Sequence, residues 1–234
     1  MIRRDFALEN REVKTRKKRP VSLETDALGL IERFRTSIRN IDDRFRLYHV
    51  LIGQRLYEEA EDLLRFQIVY LMSALDFFMH ELYSYGILKI FQHQKRKTER
   101  YKSFRVPLEL VEQALFDGEN IQHHLKKMIT EINQTFTFMH PSRIKELLHT
   151  IGYADAFSKA QRVLRKKGIL RDGEALAPLL EKIYIRRNKI SHQTDIEHGG
   201  TNRLSISLEE VRHYRDVIFH AVETIYETVC HDIS

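Results

Sequence analysis

Between Tyr57 and Phe91 apolar side chains recur every three or four residues. Leu64, Ile68, Leu71, Leu75, Phe78 and Leu82 form one stripe, widened by Leu63, Tyr70, Ala74 and Met79. A helix with so broad an apolar surface must be covered on several sides, so this segment predicts the central element of a helical fold. Asp76 interrupts the surface. A carboxylate there is a hydrogen-bonded structural group first, and otherwise a partner for a basic residue of an active face. The neighbouring His80 reads as an interface or surface residue.

The rest of the chain supplies the cover. Leu28, Ile31, Phe34, Ile38, Ile41, Phe45 and Tyr48 describe one face of a first long helix. After it and the central helix, residues 95–106 read as a loop, and Pro107 opens a short helix that ends near Gly118. Another short helix is predicted over 119–132, where the adjacent His123 and His124 diverge by about 100° and read as surface residues. Pro141 suits a helix start and Gly152 its end, and 154–167 is helical in composition. Leu179, Leu180, Ile183 and Ile190 form a stripe after Pro178. Ser207, Leu208, Glu209 and Glu210 make a capping box at the start of a last long helix carrying Leu208, Val211, Tyr214, Ile218, Ala221, Ile225 and Val229. No strand alternation, glycine-rich phosphate loop or internal repeat is present, which predicts an all-α fold. The expected organisation is a flexible basic arm at 1–22 and one helical domain at 23–234, with a loop and short helices inserted at about 95–170.

Cys230 is the single cysteine, so a disulfide framework is excluded and a reducing, cytoplasmic setting is expected. No apolar run has the length of a membrane span and no apolar signal core is read, so no membrane partner is expected. The net charge of +6 favours a polyanionic partner. Two basic runs could supply it: residues 11–19, and Lys95, Arg96 and Lys97 with Arg100 and Lys102. Their plain reading is a solvated tail and a solvated loop; the alternative is contact with an RNA backbone.

Polar chemistry concentrates in residues 185–192, Ile-Arg-Arg-Asn-Lys-Ile-Ser-His. Arg187 offers a guanidinium that can grip a phosphate, and His192 an imidazole that can move a proton near neutral pH. On a helix the two lie about 140° apart, while Asn188 and His192 share a face. The plain alternative is a solvated arginine pair and a histidine at a helix C-terminus. His192, Asp195 and His198 invite a metal, but they straddle a helix end and a glycine loop that does not fix their geometry, so neither metal nor cofactor is expected.

The order of elements over about 25–229 resembles the HEPN superfamily, particularly its RiboL-PSP-like branch. The specific parts are Ser73-Ala74-Leu75-Asp76 with His80-Glu81-Leu82, residues 141–152, Arg186 to His192, and Ile206-Ser207-Leu208-Glu209-Glu210-Val211. The family's Arg-x4-6-His signature, often with a polar residue after the arginine, falls on Arg187, Asn188 and His192. The chain departs just beyond it, reading His192-Gln193-Thr194-Asp195 where relatives often read His-Glu-Gly-Asp. The resemblance implies a HEPN-like bundle of long antiparallel helices and a metal-independent endoribonuclease acting as a homodimer. Bacterial toxin, anti-phage and RNA-processing systems are the settings it implies, with an antitoxin or defence-system partner.

Cleavage through the RNA 2′-hydroxyl needs a base, an acid and positive charge beside the transition state. One chain offers one motif histidine, and a twofold would bring two into one cleft. The assigned roles are His192 for proton transfer, Arg187 for the phosphate and Asn188 for orienting either the imidazole or the phosphate, with Asp76, Arg186 and Asp195 as possible supports. Two other readings stay open: an inactive dimerisation or docking module, and a plain RNA-binding protein.

Overall fold

The computed structural model describes residues 27–116, 121–133, 136–193, 195–196 and 202–231, so the predicted arm at 1–22 with its basic run at 11–19 lies outside the described residues. Among these residues the chain is all-helical, apart from one isolated antiparallel bridge between Ile196 and Arg203. In chain order the helices are α1 (Ala27–Gly53), α2 (Tyr57–Phe91), α3 (Glu99–Lys102), α4 (Leu108–Phe116), α5 (Ile121–Asn133), α6 (Pro141–Thr150), α7 (Ala156–Lys166), α8 (Leu176–Gln193) and α9 (Leu208–Cys230). None is long and apolar enough to cross a membrane.

Helix α2 is the centre. Its whole predicted stripe, from Leu64 to Leu82, is buried. Helix α1 folds back antiparallel along one flank: Arg33 reaches Glu81, Gln67 donates to the Ile41 carbonyl, and the Arg44 guanidinium lies 4.8 Å from the Tyr70 ring centre. Helix α9 runs antiparallel to α1, registered by two forked arginine pairs. Arg35 donates to both oxygens of Glu223 at 2.7 Å, and Arg215 grips Asp42. Such partly exposed pairs contribute on the order of 0.2–1 kcal/mol each, so their main effect is register, while the apolar interface holds the helices together.

The short helices do not build a core of their own. Helices α5 and α6 pack on α2, α7 packs on α9, and Met128, Ile129, Ile144, Leu148 and Phe157 join the same buried cluster as the long helices. Pro141 occupies the first turn of α6, with the His140 ring accepting from the Ser142 amide as its cap. Gly152 follows α6 with φ +91°, a conformation that favours glycine.

Several expectations change. Leu28 is exposed and Leu30 takes its place in the core. Tyr70 faces outward, because the wide stripe of α2 extends past the area its neighbours cover. The loop at 95–106 contains the single turn α3, whose start is capped by Thr98. His124 is buried beside Phe91, Leu110 and Met128, because α4 folds over it; the His123 side chain lies outside the described residues.

Gly86 shows how closely α2 and α6 approach. A Cβ added there would stand 2.5 Å from the Ile151 side chain. An alanine in place of a mid-helix glycine ordinarily stabilises by about 1 kcal/mol. Here Gly86→Ala is expected to destabilise by about 1–3 kcal/mol in urea denaturation, because the core is overpacked, and Ile151→Ala in the same chain to recover part of the loss. A more stable Gly86→Ala protein would refute this packing.

Candidate functional site

Helix α8 carries the motif because its other face is committed to the core. Leu176, Leu179, Leu180 and Ile183 are buried, and the helix start is held by the Gln161 side chain accepting from the Leu176 amide. Pro178 falls in the first turn, where its missing N–H breaks no helix bond. Arg186, Arg187 and Asn188 are half-buried one turn beyond Ile183, and His192 is exposed in the last turn. Arg187 Nη1 donates to Asn188 Oδ1 at 3.1 Å, while its Nε is buried without a hydrogen-bond partner among the described residues. Arg187 and Asn188 are thus brought together. His192 makes no hydrogen bond or ion pair to either: it diverges from Arg187 by about 140° around the helix, and the Asn188 oxygen, although on the same face as His192, is taken by Arg187.

The two arginines of the motif separate into different environments. Arg186 Nη2 donates to Asp195 Oδ2 at 2.7 Å and to the carbonyls of Leu204 and Ser205. The same carboxylate oxygen accepts from Arg65 Nε on α2 at 2.9 Å, and Arg65 also reaches the Leu204 carbonyl. Asp195 has no exposure to solvent and Arg65 only 3 %. Glu61 and Asp62 complete the surround of Arg65, and Asp62 also pairs with Arg203. Burial alone lowers the Arg65 pKa, but the hydrogen bonds it donates to Asp195 and Glu61 outweigh that, and the guanidinium stays charged. This cluster staples the chain that leaves α8: the Asp195 amide donates to the Lys189 carbonyl, and the Asp195 carbonyl accepts from the Leu204 amide. Asp195 takes φ +63°, so it occupies the left-handed position that a glycine could have filled.

The remaining candidates fall elsewhere. Asp76 accepts from the Phe138 amide at 2.6 Å and lies 3.5 Å from the His80 ring, so it fixes the segment before α6 and is not bonded to the motif. This is the structural role expected first. Lys95 lies over the Tyr153 ring, whereas Arg96 and Lys97 are exposed. Both guanidiniums converge on Asp195 Oδ2, and Asp195 Oδ1 is buried without a hydrogen-bond partner among the described residues, whereas His192 is exposed; His198 lies outside the described residues. No group of three or more metal-binding side chains occurs among the described residues.

Arg65 is the site residue that the sequence reading missed. Its signal was a cation directly after Leu64 and three residues before Ile68, inside the most apolar helix of the chain. At the C-terminal side, Glu210 also departs from its expected role. Ser207 Oγ accepts from the Glu210 amide, but the Glu210 carboxylate, in place of closing the box, accepts from Lys182 of α8 and from the Tyr214 hydroxyl. Burial pushes that carboxyl upward, yet the two hydrogen bonds prevail and hold it below the usual range. Comparison of the chain with protein-family models, curated proteins and solved structures finds no match.

The stapled loop sets a stability expectation. Asp195→Asn leaves the buried Arg65 guanidinium and the half-buried Arg186 guanidinium facing a neutral amide and is expected to cost about 3–5 kcal/mol in chemical denaturation. Asp62→Asn, at a partly exposed carboxylate, is expected to cost less than about 1 kcal/mol. Equal effects of the two substitutions would argue against a buried charge cluster at Asp195.

Proposed function

We propose that the chain is a HEPN-like, metal-independent endoribonuclease whose site is completed by a twofold-related second copy, serving as a toxin or anti-phage effector. The observation that carries the reading is the division of labour within one helix. Arg186 is consumed in pinning the loop, whereas Arg187 keeps one hydrogen bond, to Asn188, and His192 presents its imidazole to solvent. A guanidinium held by a neutral amide is available for a phosphate in a way that an ion-paired one is not.

In this reading His192 of one copy takes the proton of the RNA 2′-hydroxyl, and the oxygen attacks the adjacent phosphorus. The bond to the 5′-oxygen breaks, and His192 of the second copy protonates that leaving group. Arg187 steadies the negative charge on the phosphorane-like transition state, and Asn188 holds the guanidinium in place. The products are a 2′,3′-cyclic phosphate and a 5′-hydroxyl, and DNA, lacking the nucleophile, resists.

A second reading, an inactive dimerisation or docking module, is favoured by a different observation. Phe66, Tyr70 and Phe77 follow one another along the outward face of α2, all exposed. A surface of that kind suits a protein partner as readily as a second copy.

Arg187→Ala and His192→Ala are each expected to slow cleavage of RNA by about 10² or more, with helix content and association state unchanged. Arg187→Lys keeps the charge but loses the planar fork, so it should stay strongly impaired. Neutralising Lys95, Arg96 and Lys97 should weaken binding and flatten its salt dependence without abolishing turnover. Activity should survive EDTA. A His192→Ala protein that cuts RNA as fast as wild type would transfer the assignment to the docking module.

A further inference from the structure

A concave site lies beside Phe136 and Phe138, away from the residues of the motif. Between α2, α3 and α6 there is a pocket of about 260 Å³, bordered by Tyr83, Phe136, Phe138, Arg100, Arg143 and Thr150. Its floor is aromatic. Phe136 and Phe138 meet edge to face at 5.1 Å, Tyr83 lies 5.6 Å from Phe138, and the His80 ring closes the cluster at 4.7 Å. Its rim carries two guanidiniums, Arg100 and Arg143, and one carboxylate, Glu146. Arg143 is balanced by Glu146 at 3.0 Å, while Arg100 is exposed and makes no ion pair among the described residues.

The walls are held from outside the pocket. Asp76 anchors the Phe138 amide, and the Thr98 hydroxyl donates to the Thr150 carbonyl at 2.7 Å, tying α3 to the end of α6. A site fixed in this way loses little entropy when it is filled. Its volume falls below the range of about 300–1,000 Å³ typical of drug-sized ligands, so it suits one flat ring system with a neighbouring anion left at the rim. A half-buried phenylalanine beside an uncommitted guanidinium offers a stacking face and a phosphate contact together, the pair of interactions that holds single-stranded nucleic acid.

We propose that this pocket takes one unstacked nucleobase of the RNA substrate, with the base against Phe136 and the adjoining phosphate on Arg100. The proposal rests on the ribonuclease reading for the identity of the polymer. Tyr83 lies about 27 Å along α2 from Arg65, which marks the end of α8 bearing His192, so the held base is several nucleotides away from the bond that is cut. The pocket therefore selects single strands over duplexes, whose bases stay stacked.

The test uses the full chain carrying His192→Ala, so that binding is read without cleavage. Fluorescence anisotropy follows an end-labelled single-stranded RNA of about 12 nucleotides, and a duplex of the same length. Phe136→Ala is expected to weaken single-strand binding at least about fivefold with an unchanged salt slope, and Phe136→Tyr to restore it. Arg100→Ala should weaken binding and lower the salt slope by about one. Duplex binding should not respond to Phe136→Ala. Circular dichroism of each variant controls for folding, and Phe136→Tyr keeps the ring if Phe136→Ala unfolds. Unchanged affinity in Phe136→Ala, equal loss for single strand and duplex, or no RNA binding at all would overturn the pocket. Phe136-dependent binding by a chain that does not cleave with His192 intact would overturn the nuclease reading alone. Cleavage by a chain indifferent to Phe136 would overturn the pocket alone.

Discussion

The burial of α2 is the constraint on which the other helices depend. Its apolar surface is too wide for one neighbour, so α1, α5, α6, α8 and α9 all pack against it. Beyond Tyr57 at its start, the large apolar residues of α2 left exposed are Phe66, Tyr70 and Phe77, with the guanidiniums of Arg44 and Arg33 lying over the last two rings. The positions of α6 and α8 follow from that packing. Both small sites therefore rest on a rigid element, which is the condition for holding side chains within a fraction of an ångström.

Charge then does locally what apolar packing cannot. Removing Arg65 and Asp195 from water is costly, and the cost is offset only because each finds several partners at once. The result is a defined exit for the chain from α8, with Asp195 in a left-handed conformation and Leu204 bonded to its carbonyl. Of two adjacent arginines, the one turned towards that loop becomes structural, and the next keeps a neutral partner. Adjacent positions on a helix differ by about 100°, which is enough to give identical residues different work.

The long helices and their buried faces were legible in the sequence because periodicity over many residues averages out local exceptions. Leu64 to Leu82 and Val211 to Val229 are buried as read. Individual faces at the edges were not legible: Leu28, Tyr70 and His124 depend on where a neighbouring helix happens to stop. The pairing of Arg187 with Asn188 was readable from adjacency, whereas the Arg65 to Asp195 contact was not, since it joins positions 130 residues apart with no local pattern to connect them. Nor could spacing locate the Phe136 and Phe138 floor, where Asp76 accepts from a backbone amide 62 residues away.

That separation of 130 residues also orders events in time. A chain made from its N-terminus completes α1 and α2 early, and their hairpin is built from contacts that need nothing later. Arg65 then waits for Asp195 until most of the polypeptide has been synthesised. The exit from α8 takes its final shape only when Asp195 and the Leu204 carbonyl reach that guanidinium, so the motif acquires its fixed setting late in synthesis.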